Sequence, residues 1–174
     1  MNHRHGLCNS ADAGITLVEL MATMVVAGIL SGIAFSSFVQ PWQRQRLDSA
    51  AKELTAWLEE RRIQAIQTSS NCIIDIDTAN AQLEEASDNG CGDFGKLDLR
   101  STTSNSQGIN LISNNNVSQV LFTPRGTSTT AAELSLSLSG ASRQRCVGIT
   151  SPLGLIRLGR RSDANANCNY TTAH

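Results

Sequence analysis

Gly14-Ile15-Thr16-Leu17-Val18-Glu19-Leu20-Met21 opens an apolar run that continues to about Phe38. From Ile15 to Phe38 the clearly polar side chains are Glu19 and a few hydroxyls: Thr16, Thr23, Ser31, Ser36 and Ser37. As a helix rising about 1.5 Å per residue, the run is roughly 36 Å long, enough to cross a hydrocarbon core of about 30 Å. It exceeds the roughly 7–15 apolar residues of a secretory signal, and no A-x-A-like site follows it. The reading is a retained membrane helix. Glu19 is the anomaly. A charge at the centre of a spanning helix costs roughly 2.5–3.5 kcal/mol on insertion scales, so a carboxylate near its end asks for a partner or a purpose. The alternative is that Glu19 snorkels to the headgroups.

The rest of the 174 residues falls into three parts. Residues 1–14 are a polar tail with Gly6, Asn9, Ser10 and Asp12. Pro41 marks a kink or break after the apolar run, because it lacks a backbone donor and clashes with the preceding turn. Residues 42–68 read as a second, amphipathic helix. Leu47, Ala51, Leu54, Leu58, Ala65 and Ile66 recur near helical spacing, with Arg44, Lys52, Glu53, Glu59, Glu60, Arg61 and Arg62 on the remainder. Asp48 and Lys52 are four apart and can support each other. This helix packs either on its own domain alone or also against neighbouring copies.

Beyond Ser70 the period shifts toward two. Strands are expected at 72–77, 117–123, 133–139, 145–150 and 153–158, with strict alternation through Leu134, Leu136 and Leu138. Turn signals separate them: Pro124-Arg125-Gly126, Ser139-Gly140 and Ser151-Pro152-Leu153-Gly154. Ser101 to Asn116, rich in Ser, Thr and Asn, reads as a loop or edge segment. A long helix followed by a small antiparallel sheet gives an α+β fold. The expected organisation is a leader at 1–14, a transmembrane and assembly helix at 15–38, an amphipathic continuation at 39–70 and a β-rich head at 71–174.

Cys8 precedes the apolar run, while Cys72, Cys91, Cys146 and Cys168 follow it. Four cysteines beyond a membrane segment suggest two disulfides in an oxidising compartment. Three pairings are open; Cys72–Cys91 and Cys146–Cys168 are favoured because each closes a short local loop. Zinc is disfavoured, since no C-x-x-C occurs and no histidine lies among them. Charge flanking the helix points the other way. Arg4 is the one fixed cation before it and Arg44 and Arg46 follow closely, so the positive-inside rule alone would leave the C-terminal side in the cytoplasm. The cysteines and the leader-like tail outweigh it.

Enzyme chemistry finds little support. His3 and His5 lie in the tail and His174 is the last residue, which removes Ser-His-Asp, Cys-His and His-based metal arrangements. Gly90-Cys91-Gly92-Asp93-Phe94-Gly95 fits G-x-G-x-x-G on paper, but acids surround it (Glu84, Glu85, Asp88, Asp98) and a disulfide-tied turn is the better reading. Asp75-Ile76-Asp77 begins like a calcium loop, but Ala79 occupies the next ligand position and the loop glycine is missing. No catalytic residue, metal, cofactor or small-molecule substrate is assigned. Formal net charge is −1, so bulk charge says little about partners. Scarce aromatics argue against a stacking platform for single-stranded nucleic acid.

The Gly14–Met21 run resembles the cleavage region of type IV prepilins and type II secretion pseudopilins. The resemblance implies cleavage between Gly14 and Ile15 by a prepilin peptidase, N-methylation of Ile15, and an assembly role for Glu19, the fifth mature residue. Ile15 departs from the usual phenylalanine. The family often has a proline within the helix, where this chain has Ser36 and Ser37. Physics supports the carry-over: a new amine at the membrane end of one helix and Glu19 of a neighbour are tolerable together where each alone is costly. Phe122-Thr123-Pro124-Arg125-Gly126 and Val147-Gly148-Ile149-Thr150-Ser151-Pro152-Leu153-Gly154-Leu155-Ile156-Arg157 are similar to the H-type minor pseudopilins and related minor pilins. Their final strand often ends in Gly-Arg-x-Arg; here Leu155 replaces the first arginine and Arg157 stands at the second.

The expectation is a non-enzymatic minor pilin or pseudopilin in the bacterial inner membrane. It passes through once, its head is periplasmic or on an extracellular filament, and its partners are other pilins or pseudopilins. The alternative is a minor pilin that binds DNA during uptake. From Leu134 to His174 five arginines (Arg143, Arg145, Arg157, Arg160, Arg161) face one acid, Asp163, and arginines on a wet sheet edge can contact phosphates.

Overall fold

The computed structural model describes residues 14–37, 39–86, 91–92, 95–101, 108–114, 116–139, 143–163 and 166–170, with the side chains of 33–37 and 39–41 excepted. The leader before Gly14, part of the Gly90–Gly95 match and His174 lie outside them. Among the described residues two helices, α1 (Leu17–Ser37) and α2 (Val39–Thr68), precede eight strands. These are β1 (Cys72–Asp77), β2 (Gln82–Glu85), β3 (Leu97–Asp98), β4 (Ile109–Ser113), β5 (Gln119–Phe122), β6 (Ala132–Leu138), β7 (Gln144–Ile149) and β8 (Ile156–Arg161). The fold is α+β. The chain divides into two compact units, Met1–Gln40 and Pro41–His174.

Every described side chain of α1 is exposed; Leu17, Met24 and Leu30 stand at 75%, 66% and 63%. Among the described residues no helix is long and apolar enough to cross a membrane. The span expected from the sequence, Ile15–Phe38, extends past Gly32, the last residue of that run whose side chain is described.

Pro41 is the third residue of α2 in helical backbone, and the boundary between the two compact units falls just before it. The stripe Leu47, Ala50, Ala51, Leu54, Leu58 and Ala65 is buried, with the three- and four-residue spacing of one helix face. Two positions depart from the expected pattern. Ile66 is 45% exposed. Arg61, expected on the polar face, is 3% exposed: its guanidinium meets Glu85 at 2.7 Å and lies over the Trp57 ring, 5.0 Å from its centre. A buried arginine needs such partners.

The strands form two antiparallel four-stranded sheets, ordered β3-β2-β1-β5 and β4-β6-β7-β8. One apolar cluster draws on α2 and both sheets, including Leu54, Leu58, Ile74, Leu83, Val120, Phe122, Leu134, Leu136 and Val147. The expected strands at 72–77, 117–123, 133–139 and 145–150 coincide with β1, β5, β6 and β7 to within two residues at either end. The last one moves. Leu153 and Gly154 belong to a turn in which Thr150 N–H donates to Leu155 O at 3.0 Å and Gly154 N–H donates to Thr150 O at 2.7 Å, so β8 begins at Ile156. Strands β2 and β3 were not expected, and β4 emerges from the Ser/Asn-rich segment as an edge strand.

Candidate functional site

Gly14 and Ile15 precede α1 in non-helical backbone, and Ile15 is 74% exposed. The helix starts at a capping sequence. Thr16 O accepts the Leu20 N–H at 3.1 Å, and Thr16 Oγ1 accepts the Glu19 N–H at 3.3 Å. Thr16-x-x-Glu19 has the spacing of a capping box, a signal legible in the sequence itself. Glu19 lies in the first turn, where the helix's exposed N–H groups favour an anion. The Gly14–Ile15 peptide bond is therefore an exposed, non-helical link just ahead of a capped helix.

In the second unit, Cys72 is joined to Cys91 and Cys146 to Cys168, with Cα–Cα distances of 5.0 and 6.3 Å and sequence separations of 19 and 22. The second bond holds the C-terminal segment across β7 and β8. Two glycines make room for it. A Cβ on Gly148 would lie 2.7 Å from Tyr170 Cζ, and one on Gly159 would lie 2.9 Å from Asn169 O and from Tyr170 Cδ1. Asn169 and Arg160 exchange backbone hydrogen bonds at 2.8 and 2.9 Å, so the segment also covers part of the β8 edge.

The five candidate arginines separate. Arg143, Arg145, Arg160 and Arg161 line one cavity of about 240 Å³ with Gln144 and, from α2, Arg44, Leu47 and Asp48. Arg157 lines another, beside Glu133, Gly148 and Tyr170. Arg145 is ion-paired with Asp48, so that aspartate serves a contact across the fold instead of Lys52 four residues along its helix. Arg161, expected at a wet edge, is only 8% exposed. Its guanidinium pairs with Glu133 and donates to Ser135 Oγ at 3.0 Å, which also explains why Ser135 is buried within the alternating strand. Arg44 was missed because helical periodicity sorts it only as polar.

Glu133 gathers the neighbouring polar groups. It pairs with Arg161, accepts the Tyr170 hydroxyl at 2.7 Å and accepts Asn114 Nδ2 at 2.5 Å. Burial, then the Glu133 carboxylate, pushes the Tyr170 phenol well above its ordinary range. At the other sheet Asp77 closes a turn, accepting the N–H groups of Ala79 and Asn80 at 2.9 and 3.1 Å and Asn80 Nδ2 at 2.6 Å. These bonds, the Asn80 side chain's foremost, hold its carboxyl below the usual value. Among the described residues no group of His, Cys, Asp and Glu is arranged to hold a metal ion.

The family model described as type II transport protein GspH matches residues 50–153, and the prokaryotic N-terminal methylation motif matches residues 9–35. A crystal structure of the type IV minor pilin FimU from Pseudomonas aeruginosa is 24% identical, with a TM-score of 0.54 over 66% of this chain and 89% of that one. A second crystal form gives 23%, 0.51, 64% and 91%. The minor pseudopilin EpsH from the type 2 secretion system of Vibrio cholerae is 17% identical, with a TM-score of 0.51 over 65% of this chain and 95% of that one. These likenesses establish a shared fold. No curated protein matches the sequence.

Proposed function

The chain belongs to the type II transport protein GspH family and carries an N-terminal methylation motif; from that premise we propose that it is a non-enzymatic minor subunit of a type IV pilus or type II secretion pseudopilus. Residues 1–14 are a leader removed by a prepilin peptidase, which leaves an N-methylated Ile15. Residues 15–38 anchor the chain once in the inner membrane and then pack in a filament. Residues 39–70 continue the helix toward a head at 71–174 on the periplasmic side.

One observation carries the reading. The methylation-motif match at 9–35 brackets an exposed Gly14–Ile15 bond and a helix capped at Thr16 with Glu19 in its first turn. Cleavage there frees a cationic amine one residue before the cap, and a neighbour's Glu19 is a suitable counter-charge in lipid. The exposed apolar length of α1 then has a use as a surface for other helices.

The intact mass of protein purified from membranes tests the processing. The expected chain begins at N-methylated Ile15; one that still begins at Met1 rejects the assignment.

The DNA reading has less to stand on. Arg145 and Arg161 already hold acids, and Arg157 lies apart from the other four. The basic residues suit one compact anion better than a run of backbone phosphates.

A further inference from the structure

The arginine-lined cavity has the makings of an anion site. Five arginines line it (Arg44, Arg143, Arg145, Arg160, Arg161), two of them ion-paired, Arg145 with Asp48 and Arg161 with Glu133. Leu47, 3% exposed, contributes an apolar wall. Arg161 is more than nine-tenths buried, and its Nε has no hydrogen-bond partner among the described residues. Charge-assisted bonds to phosphate are the strong kind, and Arg143 and Arg160, both exposed, line the cavity. Arginine's planar fork matches phosphate geometry, and several around one small cavity favour a single group with more than one anionic oxygen.

Position selects the source of that phosphate. Arg44 lies six residues beyond Phe38 in the chain, close after the end of the apolar run. Between them Trp42 is 66% exposed. Exposed tryptophan followed by arginine at the end of an apolar segment is the pattern of a membrane interface. Arginine side chains there reach the headgroup layer, and basic pockets at that depth bind acidic headgroups.

We propose that this cavity binds the phosphate of an anionic phospholipid at the periplasmic surface of the inner membrane. The inference rests on the anchoring proposed above. A subunit waiting in the bilayer would be held by its head as well as by its helix, and would release that lipid on entering a filament.

Native mass spectrometry on the full-length chain in detergent tests it, with phosphatidylglycerol and phosphatidylcholine supplied as separate probes. Wild type is expected to retain phosphatidylglycerol about tenfold more than phosphatidylcholine, and Arg143→Gln with Arg160→Gln to abolish the preference. Both side chains are exposed, and the double variant is expected to keep the wild-type melting transition. Arg157→Gln, outside the cavity, is expected to keep it. Equal retention of the two lipids, or a preference untouched by the double variant, overturns the inference. So does a wild type that takes inorganic phosphate or a short duplex DNA at these arginines but not phosphatidylglycerol. Alkaline carbonate extraction separates the two readings. A chain that washes off membranes sinks the anchoring; one that stays but does not discriminate lipids sinks only the cavity's role.

Discussion

Leu30 in α1 is 63% exposed, whereas Leu54 in α2 and Leu134 in β6 are fully buried. The same side chain faces opposite fates in the two units. The second unit buries an apolar cluster drawn from α2 and both sheets. The first helix offers a continuous apolar surface that nothing in its own chain covers among the described residues. Exposed apolar area on this scale marks a surface intended for lipid or for another protein. One unit is thus organised for self-sufficiency and the other for company, and the two should respond differently to mutation.

Glu19→Ala should have the largest effect. Incorporation into filaments, measured by cross-linking to neighbouring subunits, should be lost, while the head's melting transition stays where it was. Normal incorporation would break the contrast, since the helix would then need no charge partner. Leu134→Ala acts on the other side of it. Removing a fully buried leucine should cost the head about 2–5 kcal/mol in denaturant titration and leave membrane retention of the chain unchanged. Tyr170→Phe should be milder, costing about 1–2 kcal/mol through the lost bond to Glu133. Its effect should depend on pH. Burial and Glu133 raise the folded phenol above its ordinary value of 10.0, so the folded state favours the neutral form. The stabilisation is complete below about pH 10 and declines above it as the unfolded phenol ionises. Wild type should therefore lose head stability at alkaline pH more steeply than Tyr170→Phe; parallel curves would mean that the hydroxyl does not lock the tail.

The legible parts of this fold were those with a local period. The apolar run, the stripe from Leu47 to Ala65 and the alternation in β1 and β6 follow from how side chains are spaced along helix and strand. β2 and β3, with four and two residues, are too short to show a period. β8 has one that misleads, because its buried positions are Gly159 and Arg161 and neither is apolar. Arg161 reads as a solvent-facing charge until β6 places Glu133 and Ser135 beside it. Of the candidate site, the proposed cleavage residues and the helix cap were readable because they lie within six consecutive positions, Gly14 to Glu19. The cavity was not, because Arg44 and Asp48 come from α2 while the other arginines come from residues 143–161.

The sequence by itself determined that there is a long apolar helix with an acid near its start, that an amphipathic helix and a β-rich head follow, and which family the chain resembles. Periodicity and short motifs carry that information because they depend on residues close together along the chain. Only the tertiary structure decided that β1 lies beside β5 and β4 beside β6, that Asp48 answers Arg145 across 97 positions, and that four of five arginines converge while the fifth stands apart. Strand order and charge pairing depend on which distant segments the shared core brings into contact, and no local spacing encodes that.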